Sequence, residues 1–180
     1  MLADVVALRD RALSGPPQKA VRLLPEANLH LTLRFLGDTG EELIAPLADS
    51  LRQVASEAAA IPIRLSGGGC FPHARNPRVL WAGIEAPQGG LTELHARVSE
   101  ALAELGFPAD DKPFHPHVTV GYLRKGVPAS QARSAPEALQ RYTGAPVGAQ
   151  GSLDVLALKQ SRLEPSGAVH AALYSFRLGE

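Results

Sequence analysis

The chain has 180 residues and a mass of 19.0 kDa, the size of one compact domain or of two small lobes sharing a core. Lys plus Arg number 18 and Asp plus Glu number 18. That balance argues against coating long duplex DNA, where each neutralised phosphate needs a cation, but not against holding a single RNA end. One cysteine, Cys70, excludes an intramolecular disulfide framework and a cysteine-built zinc site, and fits a reducing compartment.

Residues 3–13 have helical spacing, with Val5, Val6, Leu8 and Leu13 on the apolar side, and Gly15-Pro16-Pro17 ends the run. Acids and arginines within this N-terminal pattern do not suit a signal peptide, and no apolar run approaches the ~18 residues of a membrane span. The expectation is a soluble, cytoplasmic protein. Residues 21–24 are extended up to Pro25. Residues 29–36 alternate like a strand and close at Gly37-Asp38. A helix is expected over 40–59, carrying Leu43, Leu47, Leu51, Val54 and Ala58. Residues 61–65 form a strand, and Gly67-Gly68-Gly69 is expected to turn it. Strand 78–85, helix 88–105 (Leu91, Leu94, Val98, Leu102, Leu105) and strand 114–123 follow. Residues 124–150 are expected to hold one short helix, and 153–158 and 169–178 the last strands. Helices returning between closely spaced strands make an α+β pattern. No linker divides the chain, so residues 1–180 are expected to form a single domain.

Two segments 87 residues apart resemble one another: His30-Leu31-Thr32-Leu33 and His117-Val118-Thr119-Val120, each followed by an aromatic five residues after its histidine. On a strand, residues i and i+2 share a face. His30 and Thr32 therefore point one way, with Leu31, Leu33 and Phe35 toward the core. His117 and Thr119 pair likewise, with Val118, Val120 and Tyr122 opposite. Two imidazoles and two hydroxyls in one cleft suit in-line displacement at phosphorus. One ring takes a proton from the attacking oxygen, the other gives one to the leaving oxygen, and the hydroxyls donate to the non-bridging oxygens.

At these residues the sequence resembles the 2H phosphoesterase superfamily and, within it, the RNA 2′,3′-cyclic phosphodiesterases known as LigT-like 2′-5′ RNA ligases. The resemblance rests on Asn28 to Gly37, on Phe71-Pro72, Arg75 and Pro77 to Trp81, on Pro113 to Thr119, and on Gln160 to Leu163 with Pro165 and Gly167. It implies a bilobal α+β fold of two antiparallel sheets about a pseudo-two-fold, helices outside and the active site between lobes. It implies hydrolysis of RNA 2′,3′-cyclic phosphate ends to 2′-phosphomonoesters without metal or other cofactor, and possible reverse ligation to a 5′-hydroxyl. By the same resemblance His30 is the general acid, His117 the general base, and Thr32 and Thr119 hold phosphate. Family members often carry a phosphate-binding arginine where this chain has Tyr122. Arg124, two residues on, is the replacement candidate, and its odd offset from His117 calls for a bulge or for the strand's end. Arg34, Phe71, Arg75, Arg78 and His115 are candidate RNA contacts. The implied partner is an RNA 3′ end, single-stranded or a tRNA fragment, met by a monomer without a membrane. Family chains open with a short strand before the first helix, and that strand is expected to be missing here.

Other residues have simpler expectations. His115 and His117 have the spacing of a metal-binding pair, but no further ligand accompanies them, so no metal is expected. Trp81 is expected in the core, His95 on a helix surface, His170 in a structural role and His73 in none. Gly67 to Gly69 lacks the spacing and the following lysine of a phosphate loop. A different small cyclic phosphate, or a non-catalytic nucleotide-binding module, are the alternatives to RNA hydrolysis.

Overall fold

A computed structural model describes residues 1–142, 146–164 and 167–180, apart from the side chains of residues 16, 163, 164, 167 and 168. Pro165, part of the C-terminal block quoted above, lies outside the described residues. Helices form where apolar residues recur every three or four positions. α1 (Leu2–Ala12) buries Val5, Leu8 and Ala12. A four-residue helix not expected from the spacing, α2 (Pro16–Lys19), starts on two prolines whose fixed φ suits a first turn. There follow β1 (Val21–Leu23), α3 (Ile44–Ser56), β2 (Ile61–Phe71), β3 (Val79–Glu85), α4 (Gly90–Glu104), β4 (His117–Leu123), α5 (Ala129–Arg141), β5 (Gln150–Leu153), β6 (Val155–Glu164) and β7 (Gly167–Arg177).

The chain divides into two compact units, each assembled from three separate stretches. The first comprises Met1–Thr32, Ile63–Pro87 and Pro116–Gly151, and the second Leu33–Pro62, Gln88–His115 and Ser152–Glu180. Five strands form one sheet in the order β1-β4-β3-β2-β5, with β1·β4, β4·β3 and β3·β2 antiparallel. α1 and α5 pack on one face of this sheet, where Leu8, Leu65, Leu80, Val120 and Leu139 are fully buried. Burial of each such side chain stabilises the fold by roughly 1.5–3 kcal/mol. Cys70 belongs to this core, and burial pushes its thiol pKa up, away from reactivity. In the second unit α3 packs on α4 and on the antiparallel ribbon β6·β7, through Leu47, Leu51, Leu94, Leu156 and Leu158 among others.

Five expectations are corrected. The strand over 29–36 reduces to one bridge, Leu31 with Val118. β4 begins at His117, which stands opposite Thr32 in that register, so Leu33 to Leu36 run past the strand they would pair with. Phe35, expected in the core, is 78% exposed for the same reason. The glycine triplet does not turn the chain: β2 runs through it, and a register shift between Leu65 and Gly68 makes it a bulge, with Gly67 at φ 93°. The first strand of the last pair, expected over 153–158, is instead β6 over Val155–Glu164, after a separate β5, and α5 is longer than foreseen.

Candidate active site

The bridge between Leu31 and Val118 decides how the two motifs meet. Residues opposite each other in an antiparallel pair share a face, so His30 lies beside Thr119 and Thr32 beside His117, on the face away from Leu31 and Val118. The two histidines are then diagonal neighbours, a relation that spans roughly 7–8 Å in an antiparallel pair and somewhat less between Cβ atoms, so two rings placed this way can flank one phosphate. All four residues are half-buried and belong to the first unit. Nδ1 of His30 donates to the carbonyl of Asn28 at 2.7 Å. That bond places a ring proton on Nδ1.

His117 lies in an aromatic setting. Its ring meets Phe71 edge-on at 5.0 Å and lies 6.2 Å from Trp81, while Phe71 and Trp81 are 5.4 Å apart. Trp81 is therefore not a core residue as expected. It is half-buried on the histidine face, because it pairs with Thr119 across β3·β4. Its indole leans over Gly69, where a Cβ would come within 2.5 Å of the ring, so the glycine at that position is what lets the tryptophan lie there.

A second register shift places Tyr122. Leu80 pairs with Gly121 but Trp81 with Thr119, so β4 bulges at Val120. The bulge reverses the alternation beyond it: Tyr122 pairs with Val79, two residues from Trp81, and comes onto the face of His117 and Thr119 rather than the core. The guanidinium of Arg22 lies over its ring, 5.2 Å from the centroid. Arg124 now shares the parity of His117, and it stands exposed one residue past the end of β4, its N–H bonded to the carbonyl of Ala20. Both conditions set for it by sequence, a bulge and a strand end, are present. The signal for Tyr122 and Arg22 was Gly121, since glycine inside a strand marks a bulge or a close approach. A Cβ there would meet Val21 at 2.8 Å.

The remaining candidates are more dispersed. Arg75 and Arg78 are exposed in the turn joining β2 to β3, and Arg78 is tied to the sheet through its own N–H to Phe71 and its carbonyl to Leu123. His115 is exposed. Arg34 is in the second unit with its side chain 8% exposed, ion-paired to Asp110 at 2.8 Å and donating to the carbonyl of Pro108. It is thus engaged between two segments of its own unit. His95, expected on the surface, stacks on Phe114 at 4.2 Å in that unit. Among the described residues, no group of three or more His, Cys, Asp or Glu is disposed to hold a metal ion. A cavity of about 570 Å³ lined by Gly15, Gln18, Lys19, Gln131 and Ser134 includes neither motif histidine.

An antiparallel sheet that sets two His-x-Thr pairs diagonally on one face has the fold of the two-histidine phosphoesterases. The chain belongs to the 2′-5′ RNA ligase superfamily, whose family model matches residues 3–162. An RNA 2′,3′-cyclic phosphodiesterase of Aeropyrum pernix is 33% identical over 180 residues, 98% of this chain and 96% of its own. Another, from Archaeoglobus fulgidus, is 35% identical over 92% of this chain and 88% of its own. A crystal structure of a Thermus thermophilus protein superposes with a TM-score of 0.79 at 29% identity, covering 97% of this chain and 91% of that one. Escherichia coli LigT complexed with 3′-AMP shares the fold, with a TM-score of 0.71 at 23% identity over 99% of this chain and 91% of its own.

Proposed function

We propose that this protein is an RNA 2′,3′-cyclic phosphodiesterase that opens the cyclic phosphate of an RNA 3′ end to a 2′-phosphomonoester. The observation that carries the reading is the single bridge Leu31 to Val118, which brings both His-x-Thr pairs to one face. His117 takes a proton from water as its oxygen attacks phosphorus in line with O3′. The P–O3′ bond breaks, and His30 delivers a proton to O3′, which leaves as the 3′-hydroxyl. Thr32 and Thr119 donate to the non-bridging oxygens, whose charge grows in the transition state. Arg124 adds a cation to the same phosphate, and Phe71, Arg75 and Arg78 meet the nucleotide. With a 5′-hydroxyl in place of water the same two proton transfers join RNA ends: His117 takes the proton of the 5′-hydroxyl as its oxygen attacks phosphorus, the P–O3′ bond breaks, and His30 delivers a proton to O3′, leaving a 2′-5′ linkage. We further read residues 1–180 as one functional domain, acting as a monomer in the cytoplasm. None of the helices among the described residues is long and apolar enough to cross a membrane.

The test is turnover of an RNA oligonucleotide ending in a 2′,3′-cyclic phosphate. His30→Ala and His117→Ala are each expected to lower kcat by ~10²–10⁴-fold, the usual worth of one acid or base, with circular dichroism unchanged. Wild-type turnover in either variant would contradict the assignment of that ring.

A further inference from the structure

His30 stands near the end of an excursion that leaves and rejoins one strand. β1 runs beside β4 as far as Leu23, paired with Gly121, and the N–H of Leu24 then donates to the carbonyl of Val120 at 3.0 Å. The chain departs there and returns at Leu31, bridged to Val118. Between these points Pro25, Glu26 and Ala27 are exposed, Glu26–Asn28 forms a single 3₁₀ turn, and Leu29 is buried. The N–H of Asn28 donates to the carbonyl of Pro25 and that of Leu29 to the carbonyl of Glu26, both at 3.0 Å. The carbonyl of Asn28, at the end of the turn, accepts from Nδ1 of His30. At the start of the excursion, half-buried Leu24 precedes a proline, and its carbonyl takes a bond from outside the sheet. Nη1 of Arg9, in the last turn of α1, donates to it at 2.8 Å. The Arg9 side chain is 12% exposed, and its Nε donates to Oδ1 of Asp10 at 2.7 Å, so two donors of one planar fork are engaged.

We propose that Arg9 is a positioning residue for His30. By holding the carbonyl of Leu24 it fixes where the excursion starts, and through the turn it fixes the Asn28 carbonyl that aims the His30 ring. The proposal rests on the reading of His30 as general acid and adds a residue that acts through the backbone rather than on substrate. A carbonyl partly removed from water needs a donor, and a charged donor makes the stronger bond. α1 serves as the fixed point, since Val5 and Leu8 are buried in the core of the same unit. Without the Arg9 donors the Leu24 carbonyl turns toward water, the start of the excursion moves, and the short turn carries that movement to Asn28. Proton delivery to O3′ tolerates little displacement: a misplacement of ~1 Å can cost ~10²-fold in rate. Ground-state binding of the phosphate does not need that proton, so the effect falls on kcat rather than KM.

The test measures kcat and KM on an RNA oligonucleotide ending in a 2′,3′-cyclic phosphate, in the wild-type and His30→Ala backgrounds. Arg9→Met keeps the aliphatic stem and removes the donors. It should lower wild-type kcat about tenfold and move KM by less than about twofold. In the His30→Ala background the same substitution should change kcat by less than about twofold, because the ring it positions is gone. A purely structural role would cost both backgrounds alike. Thermal unfolding checks that each variant is folded at the assay temperature, and Arg9→Gln replaces Arg9→Met should that one unfold. Wild-type kcat in the folded Arg9 variant, a change confined to KM, or equal losses in both backgrounds overturns the positioning role while leaving the proposed activity standing. Wild-type turnover by His30→Ala, or no turnover by the wild-type protein, overturns the reading beneath it as well.

Discussion

The orientation of His30 is set from within its own segment. Its Nδ1–H is taken up by the carbonyl of Asn28, two residues upstream, so the ring cannot turn without giving up a 2.7 Å hydrogen bond. His117 is held differently, by ring contacts with Phe71 and Trp81. His95, outside the site, shows what burial and neighbouring charges do to an imidazole. Its pKa is lowered, first by burial and further by the Arg34 charge, with Asp110 pulling the other way. The unfolded chain therefore takes up this proton first as pH falls. Stability attached to neutral His95 is present above the ordinary value of ~6.5 and is lost as pH drops from there through the lowered folded value. Melting temperatures between pH 7.5 and 5.5 should fall more steeply for the wild type than for His95→Gln. Equal slopes would show that His95 is not destabilised by protonation. At this scale the two histidines and two threonines were legible in the sequence, because i and i+2 spacing needs only that the backbone be extended. Trp81 and Tyr122 were not, because the face a strand residue takes depends on every bulge before it, and Val120 hides one.

Among the elements, glycines decide where the strands can go. β2 runs through Gly67, Gly68 and Gly69 instead of turning, since a bulge there absorbs one residue and carries the strand on to Phe71. Gly69 gives its face to the Trp81 indole, and Trp81 in turn abuts His117. Gly69→Ala would set a methyl 2.5 Å from the ring, closer than real contacts permit. The expected result is a loss of ~1–3 kcal/mol in denaturant unfolding, the usual range for overpacking, together with reduced turnover as the indole moves against the histidine. Unchanged stability and turnover would mean that Trp81 has another place to go. The helices were read closely from their apolar periods: α4 buries four of the five leucine and valine positions that spacing assigned to it, and the fifth, Leu105, is its half-buried C-cap. The first motif strand was overestimated because alternation reports what a segment can do, whereas pairing needs a partner. β4 supplies one only as far as His117, and beyond Thr32 the chain passes into the second unit.

For the molecule as a whole, topology brings the two motifs together. They are 87 residues apart, yet both fall in the same unit, which takes three separate stretches of the chain to assemble. Repetition of the motif made the pairing legible before any coordinates, and the match of the family model over residues 3–162 accords with it. The contact between Arg22 and Tyr122 was hidden, since it joins two segments that no sequence period connects. The assignment of His117 to water and His30 to O3′ requires one particular bond to break. An RNA oligonucleotide ending in a 2′,3′-cyclic phosphate, incubated with the wild-type protein and followed by ³¹P NMR, measures this directly. A 2′-phosphomonoester beside a free 3′-hydroxyl is the predicted product; a 3′-phosphomonoester, or a cyclic phosphate left intact, would contradict the account.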